Sequence, residues 1–178
     1  KGDGRLTLLD ETLRSVRNQN YPNYVHLIVD DGSSIDLGNA ITPWLRRDPR
    51  IRYLRRERGH NDLKTASNAL NFGIDRFLDG EVLTKKEAEA LQGITYLHSD
   101  DLLARGGLEQ RVAVLRDGTA FSHAMSANFY KGRVVSITNS GGNVPMDNYS
   151  SHIYHGIFAD HTIMWQIEFL RQLKLFVG

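Results

Sequence analysis

The stretch Leu27-Ile28-Val29-Asp30-Asp31-Gly32-Ser33 decides the fold class of this chain. Its first half, together with Val25, is a short apolar run of the kind found in buried parallel strands. Its second half is a turn-forming cluster that continues into Ser34, and Ser33 or Ser34 is expected to cap a helix that runs through Leu45. The pattern therefore predicts a strand that ends in a sharp turn and leads directly into a helix.

Helical and strand-like segments alternate on either side of this stretch. Downstream, we expect a strand at Ile51 to Leu54 and a helix at Leu63 to Phe77. Upstream, a helix is predicted by apolar residues that recur at steps of three and four, namely Leu6, Leu9, Leu13 and Val16. This order indicates right-handed crossovers and a mostly parallel sheet flanked by helices, so the expected fold class is α/β.

The second half of the chain opens with a charged insertion, in which Thr84 and Glu87 predict a capping box for a short helix. A strand expected at Ile94 to Leu97 leads into His98-Ser99-Asp100-Asp101, and a helix is expected at Gly107 to Leu115. Residues 121–130 and 133–138 are strand-like and are joined as in a hairpin. We expect a loop over residues 139–154 and a last helix over residues 164–173.

Length and composition limit the classes of protein to consider. With 178 residues, of which 40% are hydrophobic, the chain can bury one good core, so we expect a single domain over residues 1–178. A net charge of +1 gives no field that favours nucleic acid, and no nucleic-acid partner is expected. No apolar run approaches the roughly 20 residues that span a bilayer. The absence of cysteine suits a reducing compartment, so we expect a cytoplasmic location.

Two pairs of aspartates carry the candidate chemistry, Asp30-Asp31 and Asp100-Asp101. Each pair follows a predicted parallel strand, and open α/β sheets bind their ligands at the carboxyl ends of such strands. Mg²⁺ and Mn²⁺ bind one or two carboxylates together with phosphate oxygens and water, so Asp100 and Asp101 are candidate ligands for a cation that neutralises a diphosphate. An ionised Asp31 is a good acceptor for the N–H and O–H donors of a base and a ribose.

A structural role is the alternative for each pair. Asp-Asp-Gly-Ser after a strand makes a good turn and helix cap, and Ser-Asp-Asp before a helix suits the positive end of the helix dipole. The occurrence of both pairs at predicted strand ends favours a binding site over two unrelated turns.

Five short motifs, taken in order, make the chain similar to a known family. They are Leu13-Arg14-Ser15-Val16 with Gln19-Asn20-Tyr21-Pro22, Leu27 to Ser33, Ala69-Leu70-Asn71-Phe72-Gly73-Ile74, Leu97-His98-Ser99-Asp100-Asp101, and Asp160-His161-Thr162-Ile163-Met164. Along nearly its whole length the chain resembles an inverting family 2 glycosyltransferase of the GT-A fold. The resemblance implies a Rossmann-related sheet with a small antiparallel hairpin region toward the C-terminus. It also implies a nucleotide-binding part over residues 1–118 and the start of an acceptor-side part over residues 119–178.

The resemblance assigns roles to both aspartate pairs. It implies that Asp31 contacts uracil or another base, with Asp30 supporting the turn, and that Asp30 and Ser33 belong to the same nucleotide-binding group. It implies that Asp100 contacts the ribose or the metal, and that Asp101 ligates Mn²⁺ or Mg²⁺.

Further site residues come from the same resemblance. Lys64 and Asn71 belong to the segment that closes over the base, with a structural role equally open for Asn71. Asp160 and His161 correspond to positions near the acceptor side that face the diphosphate, with a structural hydrogen bond as the alternative. His98 stands where the acidic signature of the family often begins, which puts a direct metal or ribose contact at this position in doubt.

The reaction that the resemblance implies is transfer of a sugar from a nucleoside-diphosphate sugar, a UDP-sugar first, to a hydroxyl with inversion. The acceptor is expected to be a saccharide, a lipid-linked molecule or a protein, and peripheral association with the inner face of a membrane stays open. The general base of the family is expected beyond Gly178. Two alternatives stay open: a non-catalytic nucleotide-binding module, and a sugar nucleotidyltransferase, which would usually carry a Gly-rich phosphate loop.

Seven arginines lie close together between residues 46 and 58: Arg46, Arg47, Arg50, Arg52, Arg55, Arg56 and Arg58. Such a cluster could contact phosphates, anionic lipid or an acidic polymer. Alternation along a strand would divide the arginines between two faces, which favours a solvated surface over a dedicated anion site.

Overall fold

A computed structural model describes residues 3–58, 66–115, 119–124, 126–130, 133–138, 142–145 and 163–171 of the chain. The helices are α1 (Asp3–Arg17), α2 (Leu37–Arg47), α3 (Ala66–Leu78), α4 (Lys85–Ala90) and α5 (Gly107–Val114), and residues 167–171 form a further helical segment, α6. The strands are β1 (His26–Asp30), β2 (Ile51–Arg55), β3 (Gly93–Thr95), β4 (Thr119–His123), β5 (Ser126–Tyr130), β6 (Arg133–Thr138), β7 (Gly142–Pro145) and β8 (Ile163–Gln166).

The chain forms two compact units. The first comprises Lys1–Thr7 and Pro22–Leu91, and the second comprises Leu8–Tyr21 and Gln92–Gly178. The single domain expected from the sequence, with its division at residue 118, stays a prediction.

In the first unit, β1 and β2 form a parallel pair in which Asp30 lies opposite Arg55. Helix α3 packs against β1 and α2 packs against β2. The apolar side of α2 is buried and is formed by Leu37, Ile41 and Trp44. Gly73 of α3 approaches β1 so closely that an added Cβ would lie 3.2 Å from the Cγ2 of Val29. A glycine at this position therefore lets the helix lie close to the strand.

The start of α2 differs from the sequence-based prediction. Asp36, and neither Ser33 nor Ser34, is the N-cap, and its carboxylate accepts the backbone N–H of Asn39 at 3.0 Å. Ser33 stays in the turn because its backbone N–H donates to the Asp30 carboxylate at 2.8 Å. The prediction was wrong because serine and aspartate both favour N-cap positions. The hydrogen bond between Ser33 and Asp30 keeps Ser33 in the turn, so the helix begins after Asp36.

In the second unit, a four-stranded antiparallel sheet has the order β3-β8-β4-β7. Its core is apolar and consists of Ala120, Phe121, Ile163 and Phe169, with Trp165 packed against it. The rings of Phe121 and Trp165 lie 4.8 Å apart between their centroids. Strands β5 and β6 form a separate antiparallel pair, as the sequence predicts.

Two segments of the second unit form a different kind of element from the one expected. Residues 163–166 form strand β8, with Ile163 and Met164 buried in the middle of the sheet, and residues 167–171 are helical. The last two residues of the expected helix, 172 and 173, lie outside the described residues. A short apolar run fits a strand and a buried helix equally well, so the neighbouring strands that pair with it determine which of the two forms. Gly142–Pro145, expected in a loop, pairs with β4 as strand β7.

The α/β class is confirmed, and α1, β1, β2, α5 and the capping box of α4 lie where the sequence predicts them. Parallel pairing in the described residues is confined to β1 and β2. Strand β3, expected as another parallel strand, instead pairs antiparallel with β8. None of the helices that the structure describes is both long and apolar enough to cross a lipid bilayer.

Candidate functional site

Asp30 ends β1 and directs its carboxylate into the protein. The residue is 1% exposed. Its oxygens accept hydrogen bonds from the Ser33 backbone N–H at 2.8 Å, the Tyr53 hydroxyl at 2.8 Å and the Arg55 guanidinium at 3.0 Å. Burial alone would raise the pKa of Asp30, but the hydrogen bonds from Ser33 and Tyr53 and the charge of Arg55 outweigh it and lower the pKa. Asp30 is therefore an ionised group that joins the turn to β2.

Asp31 makes two ion pairs with the segment that follows β2. Its Oδ1 lies 2.6 Å from Nη1 of Arg56, and its Oδ2 lies 2.7 Å from Nη2 of Arg58. Desolvation raises the pKa of Asp31, but the hydrogen bonds and charges of Arg58 and Arg56 lower it further than burial raises it. A carboxylate oxygen can accept two hydrogen bonds, and within the described part of the chain each oxygen of Asp31 accepts one. Asp31 is thus held ionised and oriented by two cations.

Gly32 is required by the same arrangement. Its φ is +69°, in the left-handed region, and an added Cβ would lie 3.2 Å from the Cγ of Arg58. The Arg58 side chain lies across Gly32 while its guanidinium reaches Asp31. A glycine serves here because it relieves both the backbone strain and the contact with Arg58.

The structure pairs most of the clustered arginines with carboxylates. Arg50 pairs with Asp48 at 2.7 Å and Arg52 pairs with Glu87 at 3.3 Å. Together with the pairs made by Arg55, Arg56 and Arg58, these contacts neutralise much of the cluster. Aspartates at the end of β1 and arginines at and after the end of β2 are both visible in the sequence, and their opposite charges could have predicted these pairs.

The second aspartate pair lies in residues 96–106, here named the aspartate loop, between β3 and α5. Asp100 is exposed and Asp101 is partly exposed. The backbone N–H of Asp101 donates to the His98 carbonyl at 3.1 Å, which closes a turn around the pair. The ring of His98 packs edge-on against Tyr96, with 5.4 Å between the ring centroids.

Asp100 and Asp101 offer an oxygen donor set of the kind that Mg²⁺ and Mn²⁺ take. The described residues contain no group of three or more His, Cys, Asp or Glu side chains placed to hold a metal ion. Two carboxylates are nevertheless enough when phosphate oxygens and water supply the remaining ligands. The donor set therefore fits a cation that binds together with a diphosphate.

Three polar residues of the N-terminal segment contact the aspartate loop and the start of α5, and the sequence analysis gave them no role in the site. They are Thr12, Ser15 and Gln19. Their spacing of three and four residues places them on one side of α1 and its C-terminal extension. Polar residues at helical spacing next to the buried Leu13 and Val16 were the signal that could have found them.

The predicted site residues fall into separate groups. Asp30, Asp31 and Ser33 come together in the first unit, where Asn71 lies exposed on α3. Asp100 and Asp101 belong to the second unit. Lys64, Asp160 and His161 lie outside the described residues.

A cavity of about 490 Å³ lies beside the aspartate loop and is lined by Ser15, Asn18, Leu103 and Arg105. Among the residues that the structure describes, none of those predicted to bind nucleotide or metal lines it.

Comparison with known proteins identifies the family. Residues 4–159 match the model of glycosyl transferase family 2. The chain is also 28% identical over 145 residues to uncharacterized glycosyltransferases of Rickettsia felis, Rickettsia conorii and Rickettsia bellii. Each alignment covers 79% of this chain and 21%, 21% and 18% of the respective relative, so the chain spans about a fifth of their length. The chain belongs to glycosyl transferase family 2, whose enzyme class is the one expected from the sequence.

Proposed function

We propose that this chain binds a nucleoside-diphosphate sugar, with a UDP-sugar as the first candidate, and transfers the sugar to a hydroxyl with inversion. The observation that carries the proposal is the pair Asp100-Asp101, presented at the surface on a closed turn within the segment that matches the family. Asp31, held ionised by two arginines, is the residue proposed to accept hydrogen bonds from the base.

Recognition of the base follows from the charge on Asp31. An ionised carboxylate only accepts hydrogen bonds, so it suits a base with a ring N–H, such as uracil, thymine or guanine. Cytosine presents a hydrogen-bond acceptor at the corresponding ring nitrogen, so the lone pair of this nitrogen would face a lone pair of the carboxylate. We therefore expect uridine diphosphate to bind better than cytidine diphosphate.

Asp100 and Asp101 would hold Mn²⁺ or Mg²⁺ against the diphosphate. Bound there, the cation would supply charge neutralisation for the departing diphosphate. Exposure of Asp100 and partial exposure of Asp101 leave both carboxylates accessible to such a ligand.

The transfer itself is a displacement at the anomeric carbon. The acceptor oxygen forms a bond to this carbon while the bond to the diphosphate oxygen breaks, and its electron pair leaves with the diphosphate. The proton of the acceptor hydroxyl passes to a carboxylate base, which we assign to no residue of this chain. For the acceptor we propose a saccharide, a lipid-linked molecule or a protein, met in the cytoplasm or at the inner face of the membrane.

A nucleotide panel tests the proposed donor. Titration calorimetry of the chain with UDP, GDP, TDP and CDP, each with and without Mn²⁺, should give the tightest binding for UDP with Mn²⁺ and the weakest for CDP. Hydrolysis of UDP-sugars by the same preparation distinguishes an enzyme from a binding module. Equal affinity for all four nucleotides, or binding that ignores Mn²⁺, would contradict the proposal.

A further inference from the structure

The side chains of Thr12, Ser15 and Gln19, here named the α1 polar face, contact the backbone that carries the second aspartate pair. Thr12 and Ser15 lie on α1, and Gln19 follows its last turn. Thr12 is 2% exposed and Gln19 is 8% exposed. Buried polar groups cost stability unless they are hydrogen-bonded, so their partners explain their presence.

Thr12 and Ser15 bond two different residues of the loop. The Thr12 hydroxyl lies 2.8 Å from the carbonyl oxygen of Asp101 and shares its hydrogen with the carbonyl of Leu8 at 3.1 Å. The Ser15 hydroxyl accepts the backbone N–H of Leu103 at 3.0 Å. The contacts begin at Asp101 itself, since the Thr12 hydroxyl donates to the Asp101 carbonyl.

Gln19 extends these contacts to the start of α5. Its amide nitrogen donates to the carbonyls of Leu103 at 3.3 Å and Ala104 at 2.9 Å, and also to Ser15 at 2.9 Å. Its amide oxygen accepts the backbone N–H of Leu108 at 3.2 Å. Leu108 lies in the first turn of α5, where the helix leaves its N–H groups without helical partners. One side chain therefore joins the loop and the helix that follows it.

The backbone of Asp101 is consequently bonded on both sides. Its N–H donates to His98 and its carbonyl accepts from Thr12. The loop lacks the hydrogen-bond ladder of a strand or helix, so these side chains supply partners that regular structure would supply elsewhere. A cation bound by two neighbouring carboxylates requires both to be presented together, and a fixed backbone leaves only side-chain rotation to adjust.

We propose that Thr12, Ser15 and Gln19 are positioning residues, which set the backbone from which Asp100 and Asp101 reach a diphosphate-bound cation. The inference rests on the proposed function, because it assigns to the α1 polar face a role in metal and nucleotide binding. Partners that orient metal ligands typically change metal affinity by about 10- to 100-fold when they are removed.

Thr12→Val is the sharpest variant, since it removes the hydroxyl and keeps the branched shape. Thr12→Ser restores a hydroxyl and is the conservative rescue. Thr42→Val is the matched control, because Thr42 makes a similar bond to the Gly38 carbonyl at 3.0 Å on α2, in the other unit. Ser15→Ala is the second variant and removes the acceptor of the Leu103 N–H without touching Asp101.

Two readouts are needed for each variant. The first is Mn²⁺ affinity in the presence of UDP, compared with the affinity for UDP alone. The second is hydrogen exchange at the backbone amides of Leu103 and Leu108 in the chain without ligand. We expect Thr12→Val to weaken Mn²⁺ binding about tenfold, with UDP alone unaffected, and Thr12→Ser to restore it. Ser15→Ala should speed exchange at Leu103 and also weaken Mn²⁺ binding, whereas Thr42→Val should change neither readout.

The outcomes separate this inference from the proposed function. If the wild-type chain, Thr12→Val and Ser15→Ala all show the same Mn²⁺-dependent UDP binding, the positioning role is overturned while the proposed function stands. Faster exchange at Leu103 with unchanged Mn²⁺ affinity would reduce the contacts to a purely structural role and also overturn the inference. If the wild-type chain shows no Mn²⁺-dependent UDP binding, the proposed function fails and takes the metal-positioning role with it. Should Thr12→Val fail to fold, Ser15→Ala decides the question by the same two readouts.

Discussion

At the scale of single residues, the two neighbours Asp30 and Asp31 have different environments. Asp30 directs its carboxylate to Ser33, Tyr53 and Arg55 inside the protein. Asp31 pairs with two arginines, one at each carboxylate oxygen. The first aspartate therefore maintains the turn, and the second is the one that we propose for recognition of the base.

Replacing Asp30 with asparagine should destabilise the first unit. The substitution keeps the shape but removes the charge that Arg55 neutralises, and it directs an amide N–H₂ toward groups that donate. We expect a loss of about 3 kcal/mol in the free energy of unfolding, measured by urea titration. Asp36→Asn is the matched control, because asparagine caps helices about as well as aspartate, so its change should be a few tenths of a kcal/mol. Equal stability of the two variants would contradict this description of Asp30.

His26 at the start of β1 predicts a pH dependence of stability. Burial lowers its pKa to about 4, against the opposing charge of Asp48, whereas the unfolded chain has the ordinary value near 6.5. The unfolded state therefore binds the proton more readily than the folded state does. The uncharged His26 leaves the free energy of unfolding at its full value above about pH 6.5, and this free energy falls as the pH falls toward 4.

Between pH 7 and pH 5, wild-type chain should lose on the order of 2 kcal/mol more stability than His26→Gln, which cannot titrate. Asp30 and Asp31 stay ionised over this window because their pKa values are lowered. Urea titrations at several pH values measure the difference. A parallel pH profile for the two proteins would show that His26 is not desolvated.

At the scale of elements, local chemistry predicts helix ends well when the pattern is self-contained. The capping box at Thr84 and Glu87 forms as expected, because both partners lie within one turn. The start of α2 was placed at the wrong residue, because Ser33, Ser34 and Asp36 all suit an N-cap and Asp30 decides among them from outside the helix. Residues 163–166 were misassigned because their strand partners lie far away in the chain.

The start of α5 and the loop before it are joined by one side chain, that of Gln19. Gln19→Glu would replace the donor N–H₂ by an oxygen facing the carbonyls of Ser15, Leu103 and Ala104. We expect a loss of about 3 kcal/mol or more, because a buried charge would then lie among acceptors. Asn18→Asp, the same change at the exposed neighbour, should cost less than about 0.5 kcal/mol. Thermal unfolding of the two variants provides the comparison, and similar melting temperatures would contradict the contacts assigned to Gln19.

At the scale of the whole molecule, the fold class predicted from the sequence is confirmed, the roles of the two aspartate pairs stay predictions, and the sheet order comes from the structure. Strand β8 lies between β3 and β4, although it follows both of them in the chain, and periodicity carries no information about such distant pairing. The ion pairs of Asp31 likewise depend on the register of β1 with β2, which brings Asp30 opposite Arg55. Family membership adds the enzyme class.

We propose that Asp100 and Asp101 form a cation site that acts together with a bound nucleoside diphosphate. The most direct test is calorimetric titration of UDP into wild-type chain and Asp101→Asn, each with and without Mn²⁺. Glu89→Gln, an exposed carboxylate on α4, is the matched control for charge removal. We predict that Mn²⁺ tightens UDP binding at least about tenfold in wild type and Glu89→Gln and has no effect in Asp101→Asn. Mn²⁺-dependent UDP binding that survives in Asp101→Asn at wild-type strength would contradict a cation site at Asp100 and Asp101.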